Sequence, residues 1–103
     1  MNILFICSRN QWRSPTAELI FKNSTHHTAR SAGTADSARL KVTERMLLWA
    51  DLVFVMEQRH KEILQSRFNT GKQIIVLDIP DEYEYMDEEL VQMITSSVAP
   101  YLQ

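Results

Sequence analysis

One cysteine, two glycines and three prolines are all that the 103 residues contain of the amino acids that cross-link a backbone or bend it sharply. The lone Cys7 forms no disulfide within the chain. With only His26, His27 and His60 beside it, no metal-ligand spacing appears, so neither a disulfide scaffold, a structural metal nor a cofactor is expected. Formal net charge is −2 and no basic run interleaved with aromatics occurs, which argues against a nucleic-acid partner and makes any anion site a local feature. Long apolar stretches are missing as well. Ile3 to Ile6 is far too short for a signal peptide and nothing approaches a membrane span, so a cytoplasmic location without membrane contact is the expectation. Linkers, repeats and low-complexity segments are absent, and residues 1–103 read as a single domain with one modest core.

What is present is an alternation of short apolar runs with amphipathic ones. Asn2 to Ile6, Leu52 to Met56 (LVFVM) and Gln73 to Leu77 (QIIVL) are compact enough and rich enough in Ile, Val and Phe to be buried strands, and Thr28 to Ala32, closed by Gly33, is a weaker fourth. Between them the spacing predicts helices from the Ser14-Pro15 start to about Lys22, with Ala17, Ile20 and Phe21 inward. Further helices are expected over Lys41 to Trp49, with Val42, Met46 and Trp49 on one face, and over Glu57 to Phe68. A last helix starts at Asp87 as N-cap and ends near Pro100. Strands apolar throughout require helices on both faces. The expected fold is therefore α/β, a three-layer α-β-α arrangement with a four-stranded parallel sheet of flavodoxin-like type.

In such sheets ligands bind beyond the carboxyl ends of the strands, where strand order reverses, and the loop leaving the first strand commonly lies there. That loop reads CSRNQWR, Cys7 to Arg13. Its backbone amides can converge on an anion at a helix N-terminus. Arg13 offers a planar fork for two phosphate oxygens, and a thiol so placed favours its thiolate. Thiolate and phosphate cradle together imply attack at phosphorus, with Ser14 both capping the helix and hydrogen-bonding Cys7. Asn10 suits the left-handed backbone that a tight cradle needs. Trp12 is expected at the pocket mouth and Trp49 in the core, while His60 and His26 are expected to be exposed or to form local caps.

The stretch CSRNQWRSPTAE resembles the active-site loop of the low-molecular-weight protein tyrosine phosphatases: cysteine, five residues, arginine, serine, proline, with an asparagine third after the cysteine. The likeness continues through SAGT at Ser31 to Thr34, ADLVFVME at Ala50 to Glu57 and IPDEY at Ile79 to Tyr83. It implies a phosphomonoester hydrolase with a phosphocysteine intermediate. In that reading Cys7, Arg13 and Asp81 are catalytic, and Ser8, Arg9, Asn10, Gln11, Trp12, Arg13, Ser14 and Tyr83 surround the phosphate or substrate. It also implies a hydrogen bond between Ser31 and Asn10, and a phosphorylated protein or small phosphomonoester as substrate. A phenolate leaving group of pKa about 10 needs a proton. Asp81 is the candidate to supply it and Asp78 the rival.

Departures from the pattern modify these expectations. Ser8, Arg9 and Gln11 stand where the family carries small or apolar residues, which changes the rim facing the substrate. Trp12 replaces a cysteine that can protect the nucleophile as a disulfide. Ala35 to Leu48 is shorter than its counterpart, so a more open cleft is expected. The alternative is a cysteine-phosphorylated carrier of a sugar phosphotransferase system, of similar size and sheet, which needs neither Arg13 nor Asp81.

Overall fold

The solid apolar runs become the sheet. In the computed structural model, which describes residues 1–102, β1 (Asn2–Cys7), β2 (Thr28–Gly33), β3 (Leu52–Val55) and β4 (Ile74–Val76) form one parallel sheet in the order β2-β1-β3-β4. Helices α1 (Arg13–Lys22), α2 (Glu44–Trp49), α3 (Gln58–Arg67) and α4 (Glu88–Val98) each follow the like-numbered strand, and a 3-10 turn covers Ala99–Tyr101. Alternate residues of β1 face opposite layers. Ile3, Phe5 and Cys7 meet Ala17 of α1 and Leu90, Ile94 and Val98 of α4, whereas Leu4 and Ile6 meet Leu47 of α2 and Leu64 of α3. Burial on both sides is why the strand carries no polar alternation. Phe5 stacks on Phe21 and on Phe54 with ring centroids 5.6 and 5.5 Å apart, so it ties α1, β1 and β3 into one layer. Truncating such a buried aromatic to alanine typically costs about 3–5 kcal/mol.

From β1 the chain first adds β2 on one side and then returns to place β3 on the other. Strand order therefore reverses between β1 and β3. The crevice above their carboxyl ends is bounded by the segment after Cys7 and the segment after Val55.

Two local expectations are corrected and a third is narrowed. Helix α1 begins at Arg13, before the Ser14-Pro15 pair; Trp12 occupies the N-cap position without a side-chain cap, and Ser14 lies inside the first turn, buried, with its hydroxyl turned to the loop. Pro15 remains compatible because its missing N–H falls among donors that the helix leaves unpaired anyway. Helix α2 is shorter than the predicted Lys41 to Trp49. Gly33 N–H donates to the Leu40 carbonyl and Val42 N–H to the Gly33 carbonyl, so 40–42 continues as a β-bridge at the sheet edge, and Thr43 then caps the helix by accepting from Met46 N–H. Leu47 is the fully buried residue of α2, while Met46 and Trp49 are half-buried and the Arg30 guanidinium sits 4.5 Å from the Trp49 ring centroid. Finally, His60 is wholly buried, though it does form a local cap, whereas His26 is exposed. At the other end of the chain Asp87 caps α4 as expected, accepting from Glu89 N–H at 2.9 Å.

Candidate active site

The loop between β1 and α1 turns tightly because Asn10 adopts φ 57°, a conformation that asparagine tolerates better than most residues with a Cβ. Its carbonyls point away from the crevice. Those of Cys7, Ser8 and Arg9 accept from the amides of Thr34, Ala35 and Arg39 at 3.0, 2.9 and 2.9 Å, and that of Asn10 accepts from Arg39 Nε at 3.1 Å. Among the described residues no protein acceptor takes the amides of Ser8 to Trp12. A ring of unpaired N–H groups at a helix N-terminus is an anion nest.

Beneath the nest runs a buried polar chain. Ser31 donates to the Glu18 carboxylate at 2.6 Å and accepts from Asn10 Nδ2 at 2.9 Å; Nδ2 also donates to Ser14 Oγ at 2.8 Å, and Ser14 Oγ lies 3.0 Å from Cys7 Sγ. A carboxylate only accepts, so the polarity of every step is fixed from the Glu18 end. Ser14 already accepts from Asn10, which leaves its hydroxyl hydrogen free to donate, with the sulfur at 3.0 Å and the Ala32 carbonyl at 3.4 Å as the acceptors within reach. The Ser31–Asn10 bond implied by the family resemblance is present.

Arg13 is nearly fully buried, an unusual place for a guanidinium, and its partners compensate it. Nη1 donates to Glu57 Oε2 at 2.5 Å and to the Ile79 carbonyl at 2.8 Å, and Nε lies 3.6 Å from Asp81 Oδ1. Glu57 also accepts from Arg59 Nη2 at 3.0 Å. Burial alone would raise the Glu57 carboxyl, but the hydrogen bonds and charges of Arg59 and Arg13 outweigh it and hold the pKa at about 2. His60 Nδ1 accepts from Glu57 N–H at 3.1 Å, and Nε2 is 2.9 Å from Ser8 Oγ. Burial, aided by the positive charges of Arg13 and Arg59 and opposed by Glu57 and Asp81, lowers its pKa to about 4.

These elements enclose a cleft of about 370 Å³ lined by Cys7, Ser8, Arg9, Gln11, Trp12, Arg13, Arg59 and Asp81. Asn10 and Ser14 lie buried below it. Trp12 stands half-exposed on its rim, and no residue of 35–48 lines it, in keeping with the shortened segment. Asp81 is exposed and faces Arg13, whereas Asp78, at φ 58°, is exposed outside the cleft. Tyr83 is not brought to the cleft. It packs against the α1/α4 core layer, and its hydroxyl donates to Glu89 Oε1 at 3.4 Å.

Residues 2–49 match the family model described as low molecular weight phosphotyrosine protein phosphatase. The protein-arginine-phosphatase of Bacillus subtilis is 32% identical over 95 residues, a match spanning 66% of this chain and 63% of that protein. The low molecular weight protein tyrosine phosphatase of T. tengcongensis superposes with TM-score 0.79 at 25% identity, over 99% of both chains. Over residues 2–49 this chain matches the low molecular weight phosphotyrosine protein phosphatase family, and over almost its whole length it takes that family's fold. An arginine phosphatase from Geobacillus stearothermophilus shares its fold, with TM-score 0.78 and 24% identity over 99% of this chain and 92% of that one. The chain spans about 63% of the length of the curated relative it matches.

Glu57, Arg59 and Glu18 escaped the sequence reading, and so did the contact of His60 with Ser8. For Glu57 a signal existed: it lies two residues beyond the end of β3, and the segment leaving the carboxyl end of a strand next to the reversal of strand order borders the crevice by topology. Arg59 and His60 follow it on the first turn of α3. Glu18 carries no such mark, because only the tertiary approach of β2 to α1 gives it Ser31.

Proposed function

We propose that this protein is a cysteine-dependent phosphatase acting on phosphorylated protein side chains through a phosphocysteine intermediate. The observation that carries the reading is the joint presence in one cleft of Cys7, the unpaired loop amides, Arg13 and Asp81. The Cys7 thiolate attacks phosphorus and forms the S–P bond. The bond from phosphorus to the leaving group breaks as Asp81 delivers its proton there. The loop amides and Arg13 hold the non-bridging oxygens, where charge builds in the transition state. Asp81, now ionised, takes a proton from the water that cleaves the S–P bond, and phosphate leaves. Ser14 steadies the sulfur as nucleophile and then as leaving group. Tyrosine is the phosphorylated residue suggested by the description of the family, and the work is placed in the cytoplasm. The name of the Bacillus subtilis relative favours a second reading, phosphoarginine. A phosphocarrier uses no proton donor for an aryl leaving group, and Asp81 beside Arg13 speaks against that alternative.

Single-turnover phosphorylation of Cys7 by a series of aryl phosphates tests the assignment. Wild type should show little dependence on leaving-group pKa. Asp81→Asn should lose on the order of 100-fold for poor leaving groups and much less for nitrophenyl esters, and Cys7→Ser should show no turnover. A steep dependence in Asp78→Asn alone would move the acid to Asp78; absence of any phosphocysteine would overturn the reading. Phosphotyrosine and phosphoarginine peptides assayed side by side decide between the two substrates.

A further inference from the structure

His60 is fully buried yet has no part in the mechanism above, and both its ring nitrogens are engaged. Nδ1 faces the Glu57 amide at 3.1 Å. A backbone N–H can only donate, so Nδ1 must be bare and the hydrogen of the neutral ring must sit on Nε2. Nε2–H therefore donates to Ser8 Oγ, 2.9 Å away. A protonated ring would set Nδ1–H against the Glu57 N–H, and with its pKa at about 4 the ring stays neutral at pH 7. With one lone pair of Ser8 Oγ occupied by His60, the hydroxyl keeps its own hydrogen for a different acceptor. Ser8 adjoins Cys7 in the chain and lines the same cleft, and its backbone is held from behind by the Ala35 amide at 2.9 Å.

We propose that Ser8 donates a hydrogen bond to an oxygen of the bound phosphoryl group, and that His60 is the positioning residue that turns its hydroxyl there. The proposal rests on the phosphatase reading and extends it: phosphoryl oxygens only accept, so a hydroxyl whose hydrogen is free complements them where a second acceptor would not. Glu57 thus serves the cleft twice, by its carboxylate on Arg13 and by its amide on His60.

Binding of inorganic phosphate and of vanadate, measured by calorimetry on the full chain, tests it. Ser8→Ala should weaken both about tenfold or more, the loss expected for one hydrogen bond to a charged group. Ser8→Thr, which keeps the hydroxyl, should bind like wild type. His60→Asn keeps an acceptor at the place of Nδ1 and removes the donor, so it should weaken binding several-fold. His60→Gln, whose amide reaches the place of Nε2, should restore most of it. The Ser8→Ala/His60→Asn double variant should bind no worse than Ser8→Ala, because His60 acts only through Ser8. Unchanged binding in Ser8→Ala, equal binding in His60→Asn and His60→Gln, or losses that multiply in the double variant would overturn the proposal. If the buried His60 variants fail to melt cooperatively, the Ser8→Ala and Ser8→Thr pair decides. Wild type that binds neither anion would refute the phosphatase reading itself, a different outcome from wild type and Ser8→Ala binding equally well.

Discussion

Ser14 has a hydrogen free for the sulfur, its nearer acceptor, because Glu18, four residues further on, accepts at the far end of the chain of hydroxyls and amide; the Ala32 carbonyl at 3.4 Å is the competing acceptor. Ser14→Ala should therefore slow alkylation of Cys7 by iodoacetate near neutral pH by about tenfold, the effect of one hydrogen bond to an ionised group. Glu18→Gln leaves the same atoms in place and lets the chain reverse, so a smaller slowing is expected; equal rates in wild type and Ser14→Ala would refute the polarity argument. Two further residues set the response to acid. His60 has a folded pKa of about 4 against an ordinary 6.5, so between these values the unfolded chain binds a proton that the native one refuses, and stability falls as pH drops from about 6.5 to 4. Glu57, at about 2 against 4.5, supplies stability that is present above pH 4.5 and is lost as pH falls toward 2. Thermal melts should show a two-stage acid decline, and His60→Asn, which does not titrate, should lack the upper stage. Arg13, Arg59, Glu57 and Asp81 are the charges that act on the imidazole, so a charge change at any of them should displace that stage.

The loop and the elements behind it form a tighter unit than their sequences suggest. At Gly33, the last residue of β2, a Cβ would stand 2.5 Å from the Ser8 carbonyl oxygen and 2.7 Å from Ala38 Cβ. Backbone passes against backbone there, and the Ala35 amide fastens the same Ser8 carbonyl. Gly33→Ala should push the loop forward, weakening phosphate binding by tenfold or more while the far-ultraviolet circular dichroism stays native; unaltered affinity would mean the loop gives way without cost. Strands and long helices were legible because runs such as NILFI and LVFVM have one compatible environment, a sheet covered on both faces. That Cys7 and Arg13 would share a cleft was legible for a different reason, since one short stretch carries both, whereas Asp81 entered only through the resemblance of IPDEY; all three line the same cleft. The start of α1 was misjudged because Ser14-Pro15 has the chemistry of a cap, whereas tertiary partners claimed the serine first. The 40–42 bridge was hidden for a similar reason: its partner is Gly33, and no local pattern announces pairing at an edge. Tyr83 lies two residues beyond Asp81 in sequence, but the core below α4 holds its ring.

Across the whole molecule the cleft is assembled from stretches that lie far apart along the chain. Arg13 is the clearest case, because one of its donors ends on the carbonyl of Ile79, 66 positions away, just beyond β4, the last strand in sequence and an edge of the sheet. Until β4 has docked, the guanidinium has Glu57 but lacks the second acceptor of its Nη1, however complete the first half of the fold. Contacts this distant are closed late and slowly in refolding, since the entropy of a long loop must be lost before the contact rewards it. Recovery of turnover after dilution from denaturant should thus coincide with the slowest fluorescence phase, with no earlier burst of activity. Vanadate should raise the recovered yield while leaving that rate almost untouched. Activity that returned ahead of the final phase would show that the arginine is set before the sheet closes, and would make the Ile79 carbonyl a bystander.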